Sequence, residues 1–261
     1  MTEPLSARSV PFWPRRDLLK LALAAAAVPP WLGCQAPVEP VPVDPRLTAR
    51  PTVPTIEPTR GLAPLGLDSG RDGTLYVPAS YDPAVPAPLF VAFHGARGSS
   101  ADWAAYQARA EQRKMILLAP DSRSGTWDLQ LRQVGPDVRF LDRALSHTFA
   151  RCRIDPARIC LGGFSDGASY ALTLGVSNGD LFTNLIGFSP GLLTFLDGRI
   201  GRPRVFVSHG SADPILPVTA TRDVIVPALR STGYDTTDRE FSGVHEVPAF
   251  IAEAALDWFL V

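Results

Sequence analysis

Gly163-Phe164-Ser165-Asp166-Gly167 sets a serine hydroxyl between two glycines, after an apolar run at 158–162 and before a helix-like run at 168–174. Strand, G-x-S-x-G and helix in that order make a nucleophile elbow. The sharp turn crowds the backbone on both sides of the serine, and glycine brings no Cβ into that crowd. The hydroxyl is lifted above the end of the strand, with the start of the next helix beneath it. Five positions with three fixed recur by chance, so residues downstream must carry the assignment.

A serine hydroxyl is a poor nucleophile at neutral pH. It needs a base within hydrogen-bond reach, and the base needs an orienting acid. On a sheet with this elbow the chain order is serine, then acid, then histidine. Ser165 therefore predicts an acid in a loop after a later strand and a histidine after the last one. Asp213 stands in His209-Gly210-Ser211-Ala212-Asp213-Pro214, after the apolar run 204–208. His245 stands between the run 239–241 and the terminal helical stretch. The chain has four histidines, so the base follows by elimination. His94 precedes the serine, His147 lies within a helical pattern, and His209 precedes the acid. His209 reads as a strand-end histidine bracing the acid loop. Among rival carboxylates, Asp121 is out of order and Asp166 adjoins the nucleophile with its side chain turned away. Glu246 reads as solvated, and Asp180 leaves a helix. Asp213 also has a plain reading, as a turn residue before proline.

Attack on a carbonyl puts negative charge on oxygen, and two backbone N–H groups should face it. One belongs to the residue after the nucleophile, Asp166, and the other to the loop after the third strand. That loop is Phe93-His94-Gly95-Ala96-Arg97-Gly98-Ser99-Ser100. Its donor is assigned to Ala96, with Gly95 as the rival, and His94 reads as a brace. His94, Gly95 and Trp127 are the candidate pocket residues. Trp127 forms a pocket wall or pins its own loop onto the domain, and the two readings stand even. Leu192, Leu193 and Phe195 line the pocket or pack, and Arg97 reads as solvated.

Elements must carry these loops to one place. Short apolar runs at 74–77, 89–93, 115–119, 158–162, 185–188, 204–208 and 239–241 read as strands, with an earlier one near 62–67. Between them 101–113, 137–151, 166–177, 218–231 and 248–260 read as helices; Val138, Leu141, Leu145 and Phe149 recur at helical spacing. Such alternation implies an α/β fold with a mostly parallel sheet, whose chemistry sits beyond the carboxyl ends of the strands. The 261 residues carry a net charge of −1, without basic residues interleaved with aromatics, which gives no footing for nucleic acid.

The first part of the chain reads differently. Residues 1–34 resemble a twin-arginine leader, with Arg15-Arg16, a short apolar stretch at 21–28, and Leu32-Gly33-Cys34 in the manner of a lipobox. This predicts export, with Cys34 as a site of lipidation and membrane attachment. Residues 35–60 hold Pro37, Pro40, Pro42, Pro45, Pro51, Pro54 and Pro58, which favours an extended tether that buries no core. Residues 61–261 form the catalytic domain. Within it, Cys152 and Cys160 are either a disulfide across a short loop or buried thiols.

With these residues placed, the chain resembles the α/β-hydrolase superfamily. More narrowly, it resembles bacterial esterases of the phospholipase/carboxylesterase type, with polyhydroxybutyrate-depolymerase-like and feruloyl-esterase-like relatives. The carriers are Phe93-His94-Gly95, Ala119-Pro120-Asp121, the elbow at Ser165, His209 to Asp213 and His245-Glu246-Val247-Pro248. The resemblance implies a twisted sheet of about eight strands with helices on both faces. It implies a serine carboxylic-ester hydrolase that works through an acyl-enzyme on a small or polymeric ester, with no metal or organic cofactor. A peptidase or thioesterase with the same triad is the alternative, and so is a silent surface-binding lipoprotein.

Overall fold

The computed structural model describes residues 44–128, 135–196 and 198–261. The predicted leader, Cys34 and the first part of the predicted tether lie outside the described residues. Eight strands form one sheet: β1 (Gly61–Pro64), β2 (Gly73–Val77), β3 (Ala87–Phe93), β4 (Ile116–Pro120), β5 (Ile154–Phe164), β6 (Asn184–Phe188), β7 (Arg204–Gly210) and β8 (Thr236–Phe241). Their order is β1-β2-β4-β3-β5-β6-β7-β8. The pairs β1–β2 and β2–β4 are antiparallel, and every pair from β4–β3 onward is parallel. Parallel strands must be joined by crossovers; helices supply them except between β6 and β7, where the described residues of 189–203 form no helix.

Successive side chains of a strand leave on opposite faces. Along β3, Leu89, Val91 and Phe93 enter one apolar cluster, and Phe90 and Ala92 enter the other. The first cluster is closed by α2 (Pro136–Phe149), α3 (Asp166–Ser177) and α4 (Val226–Ser231), the second by α1 (Tyr106–Gln112) and α5 (Ala249–Leu260). Burial on both faces explains why the central strands read as continuous apolar runs. In α2, Val138, Leu141, Leu145 and Phe149 are all buried, as their spacing requires.

Two predicted helices are interrupted. The stretch 101–113 divides into a 3-10 turn at Ser100–Trp103, opened by a capping box of Ser99 and Asp102, and α1. The stretch 218–231 runs through a π turn at Ala220–Ile225 before α4. Pro227 has no N–H to give to the preceding turn, so the backbone widens there.

The tether expectation needs correction over 44–60. Leu47 is 2% exposed and joins the core. Its amide donates to Asn178 Oδ1 at 2.8 Å, the Thr48 and Ala49 amides donate to Asp142, and the Thr55 and Ile56 amides donate to Ala150 O. A proline-rich segment needs no sheet partner when side chains and helix ends accept its few amides. Cys152 and Cys160 are free, buried thiols rather than a disulfide.

Candidate active site

Ser165 sits between β5 and α3 with φ 57° and ψ −121°, in a region that non-glycine residues rarely occupy. The turn is held by its own amide, which donates to Phe188 O at the end of β6 at 2.9 Å, and by Ser169, whose amide donates back to Ser165 O at 3.1 Å. Gly163 and Gly167 meet backbone to backbone, and Gly167 also lies against the carbonyls of Phe93 and His94. A Cβ at Gly167 would overlap both carbonyls. The elbow thus packs on the loop after β3, which is why that loop and Ser165 share one edge.

Asp213 follows β7. Its Oδ1 accepts the Ile215 amide at 2.8 Å and the Leu216 amide at 2.9 Å, and its side chain has no exposed surface. Burial pushes the carboxyl up from its ordinary value. The Leu216 amide, His245 and the Ile215 amide outweigh burial and hold it below that value. His245 follows β8, and its ring packs on Phe164 with centroids 4.6 Å apart. The two loops cross at Gly210, where a Cβ would strike the carbonyls of Gly243 and Val244. The Ala212 amide donates to Gly243 O at 2.9 Å across that crossing.

These loops bring the three distant side chains into line. His245 Nδ1 lies 2.5 Å from Asp213 Oδ2, and His245 Nε2 lies 2.9 Å from Ser165 Oγ. An ionised Asp213 can only accept, so Nδ1 carries the ring proton and Nε2 is free to take one from the serine. His209 is 1% exposed, with Nε2 at 2.9 Å from Leu216 O and 3.1 Å from Asp213 Oδ2, and Nδ1 at 2.7 Å from Thr221 Oγ1. It braces the acid loop, as its place in the sequence implied.

The remaining sequence candidates divide. Asp166 opens α3, where the first N–H groups of a helix have no intrahelical acceptor, and Thr126 Oγ1 donates to its carboxylate at 2.7 Å. Gly95 overlies Ser165, with space for a Cβ only 3.4 Å from Ser165 Cβ. Ala96 is exposed beside it, and its N–H has no partner among the described residues. His94 is buried, which pushes its imidazole down from the ordinary value, with Arg71 adding to the effect. Its Nε2 accepts the Ser122 amide at 3.0 Å, and Nδ1 donates to Gly95 O at 2.7 Å. Trp127 is no pocket wall. It is 1% exposed, stacks on Tyr170, and donates from Nε1 to His94 O at 2.9 Å, so it pins the loops together. Leu193 and Phe195 pack on the core, whereas Leu192 is exposed. Of the rival carboxylates, Asp121 accepts the Ser100 amide and Asp180 pairs with Arg46 and Arg50.

A cleft of about 410 Å3 opens beside the triad. His94, Gly95 and His245 line it, together with Trp103, Tyr106 and Phe164, none of which was named as pocket residues from sequence. Trp103 and Tyr106 sit on the 3-10 turn and α1, where their spacing reads as core packing. Among the described residues no cluster of three or more His, Cys, Asp or Glu has the arrangement of a metal site.

No protein-family model matches the chain. It is 28% identical over 208 residues to feruloyl esterase C of Emericella nidulans, across 70% of this chain and 75% of that protein. It is 27% identical over 214 residues to acyl-protein thioesterase 1 of Gibberella zeae, across 68% of this chain and 90% of that protein. The crystal structure of esterase PE8 superposes with a TM-score of 0.61 at 21% identity, across 72% of this chain and 97% of that one. Sheet order, elbow and structural likeness agree: the chain has the α/β-hydrolase fold.

Proposed function

We propose that the protein is a serine hydrolase that cleaves carboxylic esters through an acyl-enzyme. The observation that carries the reading is the unbroken line from Ser165 Oγ to His245 Nε2 at 2.9 Å and from His245 Nδ1 to Asp213 Oδ2 at 2.5 Å. Ser165 attacks the ester carbonyl while His245 takes its proton. Asp213 fixes the imidazole tautomer and stabilises its cation. The Ala96 and Asp166 amides receive the charge on the carbonyl oxygen, each contributing on the order of 3 kcal/mol to the transition state. His245 then protonates the leaving alcohol, and water repeats the sequence on the acyl-enzyme. The named activities of the relatives favour ester cleavage by this site. The test is turnover of short p-nitrophenyl esters, which should be present in the wild type and lost in Ser165→Ala. Wild-type protein without such turnover would refute the reading.

Thioester cleavage is the second reading, favoured by the likeness to the acyl-protein thioesterase over most of that protein's length. The same triad serves both. A kcat/KM higher for an acyl thioester than for the oxygen ester of the same acyl group would choose it. We further propose export through the leader at 1–34 with attachment at Cys34, the cysteine of Leu32-Gly33-Cys34. Membrane fractionation should release Cys34→Ala into the soluble fraction, and an unchanged distribution would exclude the anchor.

A further inference from the structure

Arg71 belongs to no motif, and lies in the loop between β1 and β2 at the edge of the sheet. Its guanidinium nevertheless reaches two of the loops at the site. Nε donates to Ser122 O, and Nη2 donates to Gly98 O at 2.8 Å and lies 3.3 Å from Ser122 Oγ. Nη2 also stands 3.2 Å from His94 Nε2. That nitrogen must be an acceptor, since the Ser122 amide donates to it as well. The imidazole is therefore neutral with its proton on Nδ1, directed at Gly95 O. One guanidinium and one imidazole tie down both ends of the 94–98 loop, and Ala96 lies midway. Among the described residues every partner of Arg71 is a carbonyl, hydroxyl or imidazole atom, so no carboxylate competes for its fork.

Arg71 holds this loop at its two ends, His94 and Gly98, and the Arg97 amide holds it near its middle. Arg97 takes a positive φ of 61°, and the turn closes on Gly98, whose amide donates to Gly95 O at 3.1 Å. Besides Arg71, the loop is attached by the Arg97 amide to Gly125 O and by Trp127 Nε1 to His94 O. A strained turn keeps its shape only when its surroundings over-determine it. Arg71 does not line the substrate cleft. Removing it should therefore disturb where the Ala96 N–H points and leave ground-state binding alone.

We propose that Arg71 is a positioning residue for ester hydrolysis, holding the 94–98 loop so that the Ala96 amide faces the developing oxyanion. The inference rests on the esterase reading above. Its test is steady-state kinetics of the full chain on p-nitrophenyl butyrate, for wild type, Arg71→Ala and Arg71→Lys. Arg71→Ala should lose about 10- to 100-fold in kcat with KM within about 3-fold of wild type. Arg71→Lys should recover part of the loss, because an ammonium reaches one acceptor group where the guanidinium fork reaches several. Arg71→Ala at the wild-type kcat overturns the inference, and so does a loss confined to KM. If Arg71→Ala does not fold, Arg71→Lys decides: a lowered kcat at unchanged KM and melting temperature upholds the role, and a wild-type kcat overturns it. Inactive wild-type protein would instead refute the esterase reading, and active wild type with indifferent Arg71 variants refutes this role alone.

Discussion

Asp213 decides which nitrogen of His245 faces the serine. Two amides occupy its Oδ1, so Oδ2 alone is left for the imidazole. Asn in its place would present an amide N–H or a neutral oxygen to Nδ1 and favour the wrong tautomer. Asp213→Asn should lower kcat on the order of 10^4-fold while the domain stays folded. Stopped assays with parallel circular dichroism check both halves, and near-normal rates would remove Asp213 from the mechanism. That Ser165, Asp213 and His245 meet at one place was legible in the sequence, because chain order and four histidines point to these three. Arg71, Thr126, Trp103 and Tyr106 were not. Each acts across the fold, at separations that no local spacing records, and a buried aromatic beside a cleft has the same pattern as one in the core. Trp127 shows the converse: its position after β4 fitted a pocket wall and a pin equally, and only its bond to His94 O separates them.

At the scale of elements, the strand–turn–helix at Ser165 depends on backbone contact at Gly167. Gly167→Ala should destabilise the protein by about 3 kcal/mol or more, since the carbonyls it would strike belong to β3 and its exit and cannot yield cheaply. Denaturant melts measure this, and a loss below about 1 kcal/mol would mean that the elbow relaxes more readily than its packing implies. The start of α2 makes a second case. Asp128 Oδ2 accepts the Gly135 and Asp137 amides, and Asp137 accepts the Arg123 and Asp128 amides. Burial, with Asp128 nearby, pushes the Asp137 carboxyl up to about 6. A raised carboxylate binds its proton more tightly folded than unfolded. Its contribution to stability is therefore full below the ordinary value of 3.8 and is lost as pH rises through about 6. Between those limits the stability of wild type, measured by urea melts, should fall with pH more steeply than that of Asp137→Asn. Parallel curves would contradict the assignment. Strands and helices themselves were legible from periodicity, whereas the π turn before Pro227 depends on a single proline position that periodicity averages away.

On the scale of the molecule, the segment at 44–56 is part of the folded domain. Its composition pointed to a tether, because proline content reports backbone stiffness and says nothing of where one buried leucine goes. Leu47 fills a place in the core, and the surrounding amides are satisfied by Asn178 and Asp142. Leu47→Ala should cost about 3 kcal/mol, read as a clear drop in melting temperature. A free tether would lose nothing.

Ser165 as nucleophile with His245 as its base is the reading on which the proposed reaction stands. Treatment of the full chain with a fluorophosphonate, followed by mass spectrometric mapping, tests it most directly. One covalent adduct is expected, on Ser165, absent in Ser165→Ala and formed on the order of 10^3-fold more slowly in His245→Ala. An adduct on another residue, or labelling of Ser165 at an undiminished rate without His245, would contradict it.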